Sequence, residues 1–197
     1  MKKIFLIGDS IRYGLFEPQY RSMGYGYHIQ EKLRDVAQVY APDDNCRFLQ
    51  YTFRYLHEWA SQLGAGEDVD IVHWNNGLWD VLHLLGDDAF TPIDQYRDLL
   101  VRVLKRIRLL FPKATVYFSL NTPVIEEMAD PNFTRYNWEI RAYNEAAIAV
   151  LEPLGVKIID LYSKAAEIQP DYHADWVHYT PEGAAMLADF IIGHLDI

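Results

Sequence analysis

Five short apolar runs, at residues 3–7, 38–41, 70–74, 115–120 and 156–161, punctuate the chain and constrain its fold more than any other feature. Each is rich in Val, Ile, Tyr and Phe, is too short for a helix and is bounded by turn formers, so each reads as a strand. Between them the apolar spacing changes to three or four residues. It is clearest over 92–111, where Tyr96, Leu99, Leu100, Val103, Ile107 and Leu110 recur and Pro112 ends the run. Thr91-Pro92 reads there as N-cap and first helical residue. A second helix is expected from about 132 or 135 to 151, and a last one from Thr180-Pro181-Glu182, with Met186, Leu187, Phe190 and Ile191 inward. Shorter helices are expected over 27–36 and 52–63. Strands of continuous apolar character alternating with helices imply a parallel sheet covered on both faces, with right-handed crossovers. The expected fold is α/β, a three-layer α/β/α sandwich around a five-stranded parallel sheet, with residues 1–197 as one domain.

Charge narrows the partners. With 18 Lys+Arg against 28 Asp+Glu the formal charge is -10, which opposes binding to phosphate backbones and to anionic lipid surfaces. Neither a nucleic acid nor a membrane is an expected partner. The single cysteine, Cys46, rules out an intrachain disulfide and a thiolate cluster for structural zinc. The basic start Lys2-Lys3 is followed by only four apolar residues, where a signal peptide needs roughly 7 to 15. No stretch approaches the roughly 18 apolar residues of a membrane span. The reading is a soluble, cytoplasmic protein.

In open parallel sheets the ligand crevice lies beyond the carboxyl ends of the strands. After the first strand comes Gly8-Asp9-Ser10. Gly8 permits a tight turn, and Ser10 would stand at the sheet edge with its backbone N–H facing the same crevice, as an activated nucleophile requires. Of the five serines only Ser10 has this setting. A serine nucleophile needs a base and an oriented imidazole. Asp-x-x-His occurs three times, as Asp70 to His73, Asp80 to His83 and Asp175 to His178. On a strand the first pair would point to opposite faces and cannot meet. Asp80 and His83 would share a face if helical. The third pair stands in a loop just before the last helix, where the aspartate can turn back onto one ring nitrogen. The other histidines read as surface or hydrogen-bonded structural residues.

Gly8-Asp9-Ser10-Ile11 behind the first strand, together with Asp175-x-x-His178 before a C-terminal helix, resembles the GDSL or SGNH hydrolase family over nearly the whole chain. The resemblance implies a flavodoxin-like sandwich and a carboxylic ester hydrolase with no metal or organic cofactor. Ser10 would be the nucleophile, His178 the general base and then acid, and Asp175 the residue that orients the imidazole. It also implies an oxyanion hole completed by a glycine after strand two and an asparagine after strand three. Here the chain departs from the pattern. Strand two leads into Ala41-Pro42-Asp43-Asp44-Asn45, with no glycine, and the family's Gly-x-Asn-Asp becomes Gly77-Leu78-Trp79-Asp80. The expected hole is therefore Ser10 and Asn45 through backbone N–H groups, with a carboxamide of Asn75 or Asn76, Asn76 favoured, as a compensating side-chain donor beside Gly77, unless both asparagines only shape a turn; the indole N–H of Trp79 is a further donor.

Asp9, Trp79 and Trp176 are the expected substrate contacts, because flat rings with a polar tip suit sugar faces and apolar acyl chains. The expected substrate is a small-molecule ester, with an O-acetyl group on a carbohydrate as one candidate. Loops 12–26 and 121–132 are expected to select the acyl and alcohol groups. Arg12, Arg47 and Arg135 fall in loops near strand ends or motifs and are candidate substrate contacts on that ground alone; a solvated surface is the favoured reading for each. Two other readings stay open: a non-catalytic carbohydrate or small-molecule binding domain with a degraded oxyanion hole, and a nucleotide-binding domain resting on Gly24-Tyr25-Gly26.

Overall fold

The structure is a computed structural model that describes residues 1–14 and 23–197. In chain order it comprises β1 (Lys2–Gly8), α1 (Ser10–Tyr13), α2 (Tyr25–Lys32), β2 (Ala37–Tyr40), α3 (Leu49–Leu63), β3 (Ile71–Asn75), β4 (His83–Leu84), α4 (Ile93–Leu110), β5 (Thr115–Ser119), β6 (Phe133–Thr134), α5 (Asn137–Leu151), β7 (Lys157–Ile159), α6 (Leu161–Ala166) and α7 (Pro181–Ile192). Five strands form one sheet in the order β2-β1-β3-β5-β7, every pair parallel. Counted among the long strands this is the 2-1-3-4-5 order of flavodoxin-like folds, which reverses direction at β1 and β3. Helices α3, α4 and α5 pack side by side, while α1 and α7 flank α2, and α6 lies on α7, giving two helical layers.

The central strands are apolar because both faces are covered. Ile4, Phe5, Leu6 and Ile7 of β1 are all fully buried, and so is every residue of β3. At roughly 1.5–3 kcal/mol for each such side chain removed from water, β1 and β3 form the thermodynamic centre of the fold. Their register, Gly8 beside Asn75, brings the ends of the two strands level at the switch point.

Several boundaries differ from expectation. Thr91 is not the cap of α4; Pro92 precedes the first helical residue, and the Thr91 amide donates to Asp80 O instead. The helix expected over 27–36 is Tyr25–Lys32, because the amides of Val36 and Ala37 fold back onto Leu33 O. The run at 156–161 splits: Asp160 accepts the Ser163 amide at 3.0 Å, ending β7 and starting α6. The two-residue antiparallel pair of β4 and β6 carries too short a pattern to read from sequence. At the last helix Thr180 caps as expected, accepting the Gly183 amide at 3.3 Å. A Cβ on Gly24 would collide with the backbone of Ile11 and Arg12. Gly24 therefore serves the close approach of α2 to α1, which accounts for the Gly24-Tyr25-Gly26 pattern without a nucleotide.

Candidate active site

Where β1 ends, Asp9 leaves the strand and becomes the N-cap of α1, its Oδ1 accepting the Ile11 amide at 3.0 Å. The amides of Arg12 and Tyr13 donate to Asp9 O. Ser10 is the first residue of the helix, where a backbone N–H has no partner within the helix itself. The Ser10 side chain is 2.8 Å from Nε2 of His178. Nδ1 of His178 is 2.7 Å from Asp175 Oδ2, and Asp175 Oδ1 accepts the amides of both Val177 and His178 at 2.7 Å. A hydroxyl, an imidazole and a carboxylate thus stand in series. Burial pushes the Asp175 carboxyl up, but the imidazole and the two amides outweigh it and hold the group at about 2.

The other two Asp-x-x-His pairs do not meet. Asp70 accepts the Lys3 amide at 2.8 Å, whereas Nε2 of fully buried His73 is 2.7 Å from Ser119 Oγ. Asp80 turns to the start of α3, its two oxygens each 3.3 Å from the Leu49 amide, while His83 pairs with Glu139 at 2.5 Å. Burial pushes Asp80 up to about 7, against hydrogen bonds from Thr91 and Leu49.

Asn76 departs from expectation as a donor to the site. Its Nδ2 donates to Arg47 O at 2.6 Å, and its Oδ1 accepts from the Trp74 indole at 2.8 Å and from Thr52 Oγ1 at 3.0 Å. These bonds from a fully buried carboxamide tie the loop after β2 to the end of β3. Asn45 is buried too; its Oδ1 accepts the Arg47 amide at 3.0 Å, and its Nδ2 has no acceptor among the described residues. Gly77 has φ +150, and a Cβ there would run into the Asn121 side chain. That asparagine, just past β5, shares Asn144 Oδ1 between its amide at 2.8 Å and its Nδ2 at 2.9 Å.

Two arginines read as solvated are interior. Arg12 donates to the carbonyls of Gly8, Pro42 and Asp44, tying the turn that bears Ser10 to the loop that bears Asn45. Arg135 is 3% exposed. Its Nε donates to Leu78 O, and its guanidinium carbon lies 5.9, 5.3 and 5.4 Å from the ring centroids of Trp79, Phe133 and Trp176. Burial pulls Arg135 down to about 10, against the charges of Asp9 and Asp175. Burial pushes Asp9 up to about 6, opposed by the Ile11 amide and by Arg135, His178 and Arg12. A position in the chain does not disclose which cations the fold encloses: of the three rings only Phe133 is near Arg135 in sequence, and Trp79 and Trp176 meet it only in the fold.

Among the ring residues, Trp74, Tyr13 and Tyr179 are buried packing, whereas Trp79 and Trp176 are half-buried beside Arg135. A narrow crevice lined by Ser10, Ile11, Met23, Gly24, His178 and Tyr179 opens at the serine. Residues 15–22 of the specificity loop expected over 12–26 lie outside the described residues. Two larger cavities, of about 330 and 400 Å³, lie away from the serine, one beside His83 and Trp138 and the other beside Ile125 and His173. No helix among the described residues is long and apolar enough to cross a membrane.

Comparison with known proteins identifies chains of similar sequence and fold. A GDSL esterase/lipase of Arabidopsis thaliana is 25% identical over 118 residues, covering 52% of this chain and 49% of that protein. The chain thus matches about half the length of this curated relative. A lipase/acylhydrolase from Enterococcus faecalis superposes with a TM-score of 0.72 at 20% identity, covering 98% of this chain and 94% of the other. An acetylxylan esterase from Geobacillus stearothermophilus does so with a TM-score of 0.70 at 16% identity, covering 100% and 94%. The family model of the GDSL-like Lipase/Acylhydrolase family matches residues 6–186, and the chain with its Gly8-Asp9-Ser10-Ile11 turn belongs to that family.

Proposed function

We propose that the protein is a serine hydrolase of carboxylic esters, with Ser10 as nucleophile, His178 as base and then acid, and Asp175 as the group that orients His178. The observation that carries this reading is the unbroken hydrogen-bonded series from Ser10 Oγ through both nitrogens of His178 to Asp175, at 2.8 and 2.7 Å. His178 Nε2 takes the hydroxyl proton as Ser10 Oγ bonds to the ester carbon. The resulting oxyanion is held by the Ser10 amide and by Asn45. Collapse breaks the bond to the alcohol, which leaves with the proton from His178, and water then releases the acid by the same route. Asp175, held as a carboxylate, stabilises the imidazolium formed on the way.

The substrate class we propose is an O-acetylated carbohydrate. Half-buried Trp79, Phe133 and Trp176 beside the site suit a sugar face, and two structures of the same fold are acetyl xylan esterases. The replacement of the expected asparagine by Trp79 favours a second reading, a binding domain on the same fold without chemistry.

A fluorophosphonate probe with peptide mass spectrometry separates the two. Esterase action predicts one adduct, on Ser10, absent from Ser10→Ala and formed far more slowly in His178→Ala. Folded protein that takes no adduct on Ser10 supports the binding domain. Acetate release from acetylated xylo-oligosaccharides, compared with p-nitrophenyl acetate, tests the substrate class.

A further inference from the structure

A tetrahedral intermediate at Ser10 places a full negative charge in a site short of donors. The position expected to supply a carboxamide holds Trp79, and the neighbouring Asn76 is committed to Arg47 O. Removal of one oxyanion donor typically costs roughly 10²- to 10³-fold in rate, so a working enzyme must replace it.

The structure holds a replacement next to the gap. The Trp79 indole N–H is buried and has no acceptor among the described residues. Over the same ring lies the Arg135 guanidinium, almost wholly out of water, with Nε fixed on Leu78 O. No carboxylate among the described residues makes an ion pair with Arg135, yet its charge acts on Asp9, which precedes the serine, and on Asp175, which holds the base. Keeping a cation in an aromatic cage without a paired anion is costly. That cost is offset when a negative charge forms nearby, and low dielectric strengthens the attraction at that moment.

We propose that Arg135, together with the indole N–H of Trp79, stands in for the missing asparagine and stabilises the oxyanion formed at Ser10. The proposal rests on Ser10 being the nucleophile. It makes the charge of Arg135 matter to the bond-making step and not to the hold on neutral substrate.

Steady-state kinetics on p-nitrophenyl acetate, with thermal unfolding of each variant, test it. Arg135→Met is expected to lower kcat by roughly 10²- to 10³-fold with KM nearly unchanged, and Arg135→Lys, which keeps the charge, to recover a large part of it. Trp79→Phe, which keeps a ring and removes the N–H, is expected to lower kcat by about 10-fold; with Arg135→Lys it carries the test if Arg135→Met does not fold. The proposal is overturned if Arg135→Met keeps the wild-type kcat, if its loss lies in KM alone, or if Arg135→Lys turns over no faster than Arg135→Met. Turnover retained by Ser10→Ala would overturn the nucleophile reading itself, whereas Ser10→Ala inactive and Arg135→Met active would remove only Arg135.

Discussion

Asp175 holds His178 at two points: one carboxylate oxygen takes the ring at Nδ1, and the other takes the backbone amide of the same residue at 2.7 Å. The residue that orients the imidazole therefore also builds the turn on which the imidazole stands.

Asp175→Asn should damage both roles. An amide nitrogen facing either the ring N–H or the backbone amides puts donor against donor. We expect kcat to fall by roughly 10³- to 10⁴-fold, the scale of losing an orienting carboxylate, with a lowered unfolding midpoint. Wild-type kcat in Asp175→Asn would remove the carboxylate from the mechanism.

Arg12 is expected to matter for stability and only indirectly for turnover. Arg12→Met strips donors from the carbonyls of Gly8, Pro42 and Asp44. With each buried acceptor left unpaired costing about 1–3 kcal/mol, we expect a loss on the order of 3 kcal/mol in urea unfolding. A loss below about 1 kcal/mol would show that water satisfies those carbonyls.

Gly77→Ala combines a φ that a side chain rarely adopts with a collision against Asn121. The expected cost is roughly 1–3 kcal/mol. Removing the obstructing side chain with Asn121→Ala in the same protein should make the pair less destabilising than the sum of the singles, a coupling read from a double-mutant cycle. Additive effects would mean that the backbone angle alone carries the cost.

The buried carboxyls make stability depend on pH. Asp80 is raised from an ordinary 3.8 to about 7, so the folded state binds its proton more tightly than the unfolded chain. Its contribution is most favourable below pH 3.8 and erodes as pH rises through 7. Asp9, raised to about 6, acts in the same sense, and Asp175, depressed to about 2, supports the fold above pH 3.8 and is lost on acidification. The unfolding midpoint should therefore be higher at pH 5 than at pH 8, and Asp80→Asn should flatten that difference. A slope identical to wild type in Asp80→Asn would assign the dependence elsewhere.

The sheet was legible because burial on both faces leaves a pattern that sequence preserves: each of the five runs contains one strand of the parallel sheet, or most of one. Ser10 and His178 were legible because each sits beside an element boundary, one after β1 and one before α7. The surroundings of the site were less so. Asn76 and Arg135 follow from tertiary pairing, which local pattern does not encode: a carboxamide expected at the site closes a distant loop, and a cation expected in water is caged by three rings. The short β4 and β6 pair is likewise held by its partners more than by its own sequence.

The hydroxyl and the imidazole nitrogen that meet at 2.8 Å are separated by 168 positions. His178 follows Ser10 by that distance along the chain, so the contact between them cannot form until the loop before α7 has docked. On the proposed mechanism, Ser10 stays unactivated in any chain that has not closed this contact. On the same reading this long closure, slow to form because its ends must find each other, would make recovered turnover a clock for completion of the fold, and a loosened α7 an off-switch that leaves every atom of the Ser10 turn in place.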